Sequence, residues 1–231
     1  MAVGKPTREH VEHQIYVWAA MRHYVVETLP IGLPAVLRTD MPAGTWEYVG
    51  FEPTKEQFGA AAALALQDKQ RFLTVIADDM AKYREMGTAH GFDILAEEAL
   101  MTLGLTELPL PSDKKQSFVK ELETTQAGIA TRCRLKLTAS EEQGSKPAAG
   151  GQVGIHKEMA VYDRIKTEEG MRRRGLGTLV MQTLTAEAYA KGAKTGWLIA
   201  SPDGQKLYTQ LGWKQVYWVL ILGNKDIIKN P

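Results

Sequence analysis

The 231 residues hold 44% hydrophobic side chains and 28 Lys plus Arg against 27 Asp plus Glu, a formal charge of +1. That balance supports a sizeable core, excludes global disorder, and offers no whole-molecule field for nucleic acid or an anionic membrane, so any anion site has to be local. The polar start MAVGKPTREHVEH lacks a signal-peptide pattern, and no apolar run reaches the roughly 20 residues of a bilayer span, so the expectation is a cytoplasmic protein that binds neither nucleic acid nor membrane.

In chain order, residues 8–28 read as a helix with Val11, Ile15, Trp18, Ala19, Met21 and Val25 near one stripe. Pro30, Pro34 and Pro42 then break the chain into short extended pieces. Thr54 and Gln57 form a capping box that opens a helix over 55–68. Phe72–Ala77 is a buried-strand pattern, Met80–His90 a helix, and Phe92–Leu105 a further strand region. The polar, proline-containing run 106–116 reads as a linker between an N-terminal α/β domain, 1–110, and a second domain, 117–231.

Beyond the linker, Phe118–Leu137 reads as a short lead-in and a strand. Within it the lone cysteine, Cys133, shares a face with Ile129, Leu135 and Leu137, which predicts a buried strand residue rather than a nucleophile. A single cysteine also excludes a disulfide framework and a cysteine-rich zinc site. A hairpin loop over Glu141–Gly151 leads to strands at 152–157 and 159–167. A helix then runs from Leu176 to about Lys191 and closes at Gly192. A strand over 194–200, a helix over 203–211 stopped by Gly212, and a strand over 213–222 complete a β-β-β-α-β-α-β order. The segments Phe72–Leu105 and Thr195–Leu222 share a strand-helix-Gly-aromatic-strand order, with Tyr83 and Tyr208 in corresponding helices. That order fits either an internal duplication or a common β-α-β pattern.

The strongest chemical signal is Arg172-Arg173-Arg174-Gly175-Leu176-Gly177, between a strand and a helix. Glycines let backbone approach a ligand, the opening N–H groups of the helix are unpaired, and its dipole favours anions, so the run describes a phosphate or pyrophosphate cradle. It lacks the Gly-Lys-Ser/Thr ending of a P-loop and the third glycine of a dinucleotide fingerprint. No metal site is indicated: His10 and His13 are three apart on the first helix, but no carboxylate pattern joins them. Trp197, Trp213, Tyr217 and Trp218 read as core, not as a base-stacking platform.

On Arg172, Gly175 and Gly177, and on the later Tyr208-Thr-Gln-Leu-Gly-Trp213, residues 120–222 resemble the GCN5-related N-acetyltransferases (GNAT). The resemblance implies an α/β (α+β) fold, a mixed twisted sheet flanked by helices, with two tandem GNAT-like halves if residues 1–110 are a degenerate copy. It implies acetyl-CoA as cosubstrate, entering a gap between the strand before Ser201 and its neighbour. Its pantetheine arm would pair with Ile165, Lys166 and Thr167, and its pyrophosphate would sit over Arg172–Gly177 and Thr178. It makes Tyr208 the acid that protonates the departing thiolate.

For a base, the family places a carboxylate on the strand before the loop. Asp163 lies there, on the side of Val161 and Ile165 if the period is two, and acts directly, through a water, or by binding an ammonium. Glu158 and His156 are alternatives. The reading is an N-acetyltransferase acting on a primary amine by direct attack, as a monomer or homodimer. The rival is an acyl-CoA-binding sensor or partner-binding module without turnover.

Overall fold

The computed structural model describes residues 5–41, 44–106, 118–139 and 146–225. Most of the predicted linker and the first part of the predicted hairpin loop lie outside them. The described elements are α1 (Arg8–Arg22), β1 (Val25–Thr28), β2 (Pro34–Arg38), β3 (Thr45–Phe51), α2 (Lys55–Ala65), β4 (Phe72–Ala77), α3 (Ala81–Ala89) and β5 (Asp93–Gly104). They continue as β6 (Phe118–Ala127), β7 (Ala130–Ala139), β8 (Pro147–His156), β9 (Met159–Thr167), α4 (Leu176–Ala190), β10 (Thr195–Ala200), α5 (Pro202–Gln210) and β11 (Lys214–Gly223).

All strands join one sheet in the order β1-β2-β3-β4-β11-β5-β10-β9-β8-β7-β6. Among the described residues, only β3–β4 and β9–β10 are parallel pairs. The order has a two-fold pattern. Reading inward from either end, antiparallel strands lead to a parallel pair, and the strand beside that pair comes from the other half of the chain. β11 lies on β4, β5 lies on β10, and β5 and β11 pair with each other at the centre. A mixed α/β sheet flanked by helices is therefore the observed architecture.

Helices α2, α3, α4 and α5 cover one face. Phe58, Ala61 and Tyr83 pack on the N-terminal strands there, and Leu179, Val180 and Leu184 on the C-terminal ones. The opposite face is packed by α1 through Val11, Ile15, Val17 and Met21, over Val161, Trp197 and Val219. Burying each such Leu, Ile or Val contributes roughly 1.5–3 kcal/mol, so the sheet is clamped from both sides.

Several sequence-based boundaries move. The first helix ends at Arg22 because His23 turns left-handed (φ 57°), and Val25 begins a strand with its side chain half exposed. The stretch 118–137 is two strands joined at Gly128, so Ile129 sits in a turn, 48% exposed, away from the buried Cys133, Leu135 and Leu137. Strand β8 starts at Pro147, which places Gly150 and Gly151 in the sheet rather than in a loop. Trp197, Trp213 and Tyr217 are buried, whereas Trp218 is 42% exposed. It stands opposite Ala77 and Ala99, between the two helix-covered cores.

Candidate functional site

Strands β9 and β10 pair only at Met159–Val161 with Thr195–Trp197. Beyond that point β9 runs on to Thr167 and β10 to Ala200 without meeting, so a crevice opens between them. Ile165, Lys166 and Thr167 lie along this parted stretch, while their other edge stays bound to β8 at Gly150 and Ala149. The matching pair in the N-terminal half stays closed. Glu47–Phe51 pair with Phe72–Ile76 throughout, and Glu52 N–H continues the ladder to Ile76 O at 2.9 Å.

At the end of β9 a single 3-10 turn, Glu169–Met171, leads into Arg172, Arg173 and Arg174, all exposed. The Arg172 Nε donates to Thr167 O at 3.5 Å, and no described residue pairs with Arg173 or Arg174. Gly175 caps α4 at φ 77°, a left-handed conformation that costs an L side chain roughly 1–2 kcal/mol. A Cβ at Gly175 would meet nothing within 4 Å, so the space in front of the helix is open. No side chain caps α4, which leaves the N–H groups of Leu176, Gly177 and Thr178 to an external acceptor. A Cβ on Gly177 would come within 3.0 Å of Leu207, so glycine there lets α4 start close against α5. In the N-terminal half the equivalent helix α2 is self-capped. Thr54 Oγ accepts from Gln57 N–H, and Gln57 Oε1 accepts from Thr54 N–H, each at 3.1 Å.

The tyrosines differ in the same sense. The Tyr83 hydroxyl donates to Pro53 O at 3.1 Å. Tyr208 is 8% exposed on α5, and no described group hydrogen-bonds its hydroxyl. Burial, helped by the Asp163 charge, pushes the Tyr208 phenol up to about 12, so it carries its proton throughout the neutral range. Ser201 Oγ begins α5 by accepting from Gly204 N–H at 3.3 Å, and Gly212 (φ 88°) turns the chain out of the helix.

Asp163 points to the α1 face with Val161. Ile165 does not share that face, because Arg164 adopts φ 52° in a bulge opposite Gly151 and shifts the alternation; Ile165 packs on the α4 side. Both Asp163 oxygens accept from Arg22, at 2.5 Å from Nε and 3.3 Å from Nη2, and Gln152 adds a third hydrogen bond at 2.9 Å. Arg22 lies 141 residues away in sequence, so this clamp had no local signal. The alternatives are otherwise engaged: Glu158 pairs with Lys194, and His156 Nδ1 lies 3.0 Å from His13 Nε2. His13 thus faces His156 rather than His10, and no group of three or more His, Cys, Asp or Glu among the described residues could hold a metal.

Sequence reasoning missed Glu98. It stands opposite Val219 on the α1 face, one residue before the Ala99–Ala200 pair that ends β10. No described residue pairs with it, and burial together with the Glu47 charge raises its carboxyl. The period-two pattern of β5 could have placed it on that face, but not beside β10. It also missed Asp40, which receives Arg38 at 3.0 Å and Arg164 at 3.1 Å. Burial works to raise the Asp40 carboxyl, but Arg38 and Arg22 outweigh it and hold it well below the usual carboxylate range. A depressed carboxyl stabilises the fold above its unfolded pKa of about 4 and loses that contribution as pH falls. Asp40→Asn should therefore lower the melting temperature at pH 7, with the gap to the parent protein closing as pH drops below about 4; a gap independent of pH would show that the charge is not the cause.

No protein-family model matches the sequence, and no curated protein matches it. Solved structures do match its fold. A GCN5-related N-acetyltransferase from Kribbella flavida superposes with a TM-score of 0.61 at 14% identity, over 96% of this chain and 97% of that one. A tandem GNAT protein from the clavulanic acid biosynthesis pathway gives 0.54 at 11% identity, over 82% and 77%. A GCN5-related N-acetyltransferase from Sphaerobacter thermophilus gives 0.54 at 13%, over 86% and 79%. The chain has a GNAT-like fold along most of its length. No helix among the described residues is long and apolar enough to cross a membrane.

Proposed function

We propose that the chain is an N-acetyltransferase that moves an acetyl group from acetyl-CoA to a primary amine. The observation that carries this reading is an asymmetry. The β9–β10 pair parts beside an uncapped, glycine-bounded helix, while the equivalent strands and helix of the N-terminal half are closed. Arg172, Arg173, Arg174 and the first N–H groups of α4, at Leu176, Gly177 and Thr178, would hold the pyrophosphate, and the free edge at Ile165–Thr167 the pantetheine arm. Ser201 and Tyr208 flank the crevice from the β10 side.

In this mechanism the amine nitrogen attacks the thioester carbonyl directly, the C–S bond breaks, and Tyr208 gives its proton to the thiolate. The resemblance offered Asp163 as base. Held by Arg22 and Gln152, its carboxylate is suited to orienting an ammonium on the α1 face. Glu98 is the carboxylate left free to accept a proton there. The N-terminal half then reads as a copy of the fold whose crevice has closed and whose strand β5 completes the active half. On this reading residues 1–110 and 117–231 are two units joined by strand exchange.

The test is thiol release from acetyl-CoA across a panel of amines, beside CoA affinity by calorimetry. Turnover with at least one amine is expected. CoA binding without turnover for any amine would favour a sensor.

A further inference from the structure

A cavity of about 650 Å³ lies on the α1 face, lined at one side by β9 and at the other by β7. It exists because α1 stops at Arg22, so the helix covers Gly154 with Met21 but leaves the sheet beyond it bare around Gly150. Its lining includes six cationic side chains (Arg22, Arg132, Arg134, Lys136, Arg164, Lys166) against two carboxylates, Asp40 and Glu168. In a chain of formal charge +1, that is a strong local excess.

The charges are sorted along the cavity. At the β9 side, Arg22 and Arg164 are neutralised by Asp163 and Asp40, and Lys166 pairs with Glu168 at 3.0 Å. At the β7 side, Lys136 has only the exposed Glu121 among the described residues, at 3.5 Å. Arg132 donates Nη1 to Met21 O at 3.3 Å, but its Nε is buried with no partner. Arg134 is exposed, and no described residue pairs with it. A buried N–H without an acceptor costs about 1–3 kcal/mol, so the β7 side is short of anionic oxygens. The β9 side, which adjoins the crevice, holds the carboxylates.

We infer that this cavity receives the acceptor, and that the acceptor is a small amine carrying an anionic group, its amine at the β9 side beside Asp40 and its anion on Arg132 and Arg134. The inference rests on the transferase reading above for its amine end. Two strand spacings separate β7 from β9, so amine and anion stand on the order of 10 Å apart. A carboxylate and a phosphate share the required chemistry.

The experiment uses the full chain with CoA. Straight-chain ω-amino acids of increasing length are compared with the amide of each, and with aminoalkyl phosphates of the same lengths, by calorimetry and by KM in thiol release. The acids or phosphates should bind about ten- to a hundredfold tighter than the neutral amides, best at an intermediate length, and the better of the two names the anion. Arg134→Gln should erase that preference, and Arg134→Lys should keep much of it; Arg134 is exposed, so both variants should fold. Equal affinity for charged and neutral members, or a preference untouched in Arg134→Gln, would overturn the inference whether or not amines turn over. Anion-selective binding lost in Arg134→Gln but without acetyl transfer to any amine would leave the cavity's preference standing and overturn the transferase reading instead.

Discussion

Gly175→Asp should weaken CoA binding by about a hundredfold or more, while Gly175→Asn should cost about tenfold or less. Both side chains must adopt the left-handed conformation that the chain holds there at φ 77°. Asn and Asp are both among the few L residues that visit it, so most of the backbone penalty cancels between them. They differ in charge. A carboxylate about 5 Å from a phosphate, at an effective dielectric of about 20, repels it by about 3 kcal/mol. The same carboxylate stabilises a helix N-terminus, so the melting temperature of the Asp variant should not fall below that of the Asn variant. Calorimetric titration with CoA beside a melting curve reads both quantities. Equal affinity in the two variants would remove the pyrophosphate from the start of α4.

Tyr208→Phe should lower kcat by about a hundredfold, with CoA affinity and melting temperature nearly unchanged. General-acid help is worth about 10²–10⁴-fold, and a CoA thiolate, with a pKa near 8.5, is a fair leaving group, so the lower end applies. The hydroxyl has no hydrogen bond to a described group, so its loss leaves no partner stranded. The contrast is Tyr83→Phe, which removes a hydrogen bond to Pro53 O and should cost stability without touching kcat. A kcat within about threefold of the parent for Tyr208→Phe, with single-turnover kinetics excluding slow product release, would assign the phenol to packing.

The parts of this molecule that neighbours in sequence dictate were legible. The Arg172–Gly177 turn, the short helix after β10 and its stop at Gly212–Trp213 depend on residues a few positions apart, whose turn and cap chemistry is explicit. Where the stop signal was weak the reading overran. Nothing but His23 ends α1, and any residue other than glycine is uncommon in the left-handed region, so the stop has a weak signature. The alternation of β6 and β7 passes through Gly128 almost unbroken, so the hairpin stayed hidden and Ile129 was placed with the core. The bulge at Arg164 reversed the face of Ile165 without any glycine or proline at that residue to announce it. Most of the α1 face was illegible for another reason. Arg22 with Asp163, Asp40 with Arg164, and Glu98 beside β10 are juxtapositions made by strand order and by the docking of α1 on the sheet, and many arrangements satisfy the same local pattern.

That strand order also governs what can fold separately. β11 takes both its neighbours, β4 and β5, from the N-terminal half, and β10 takes one of its two. A deletion or recombination that removed residues 1–106 would strip β11 of every backbone partner and bare one edge of β10. Bare edges pair with whatever strand they meet, so the remaining polypeptide should aggregate rather than fold as a smaller domain. The half whose crevice is shut thus supplies backbone partners that the strands of the open half cannot do without, and the two halves fold as a single unit.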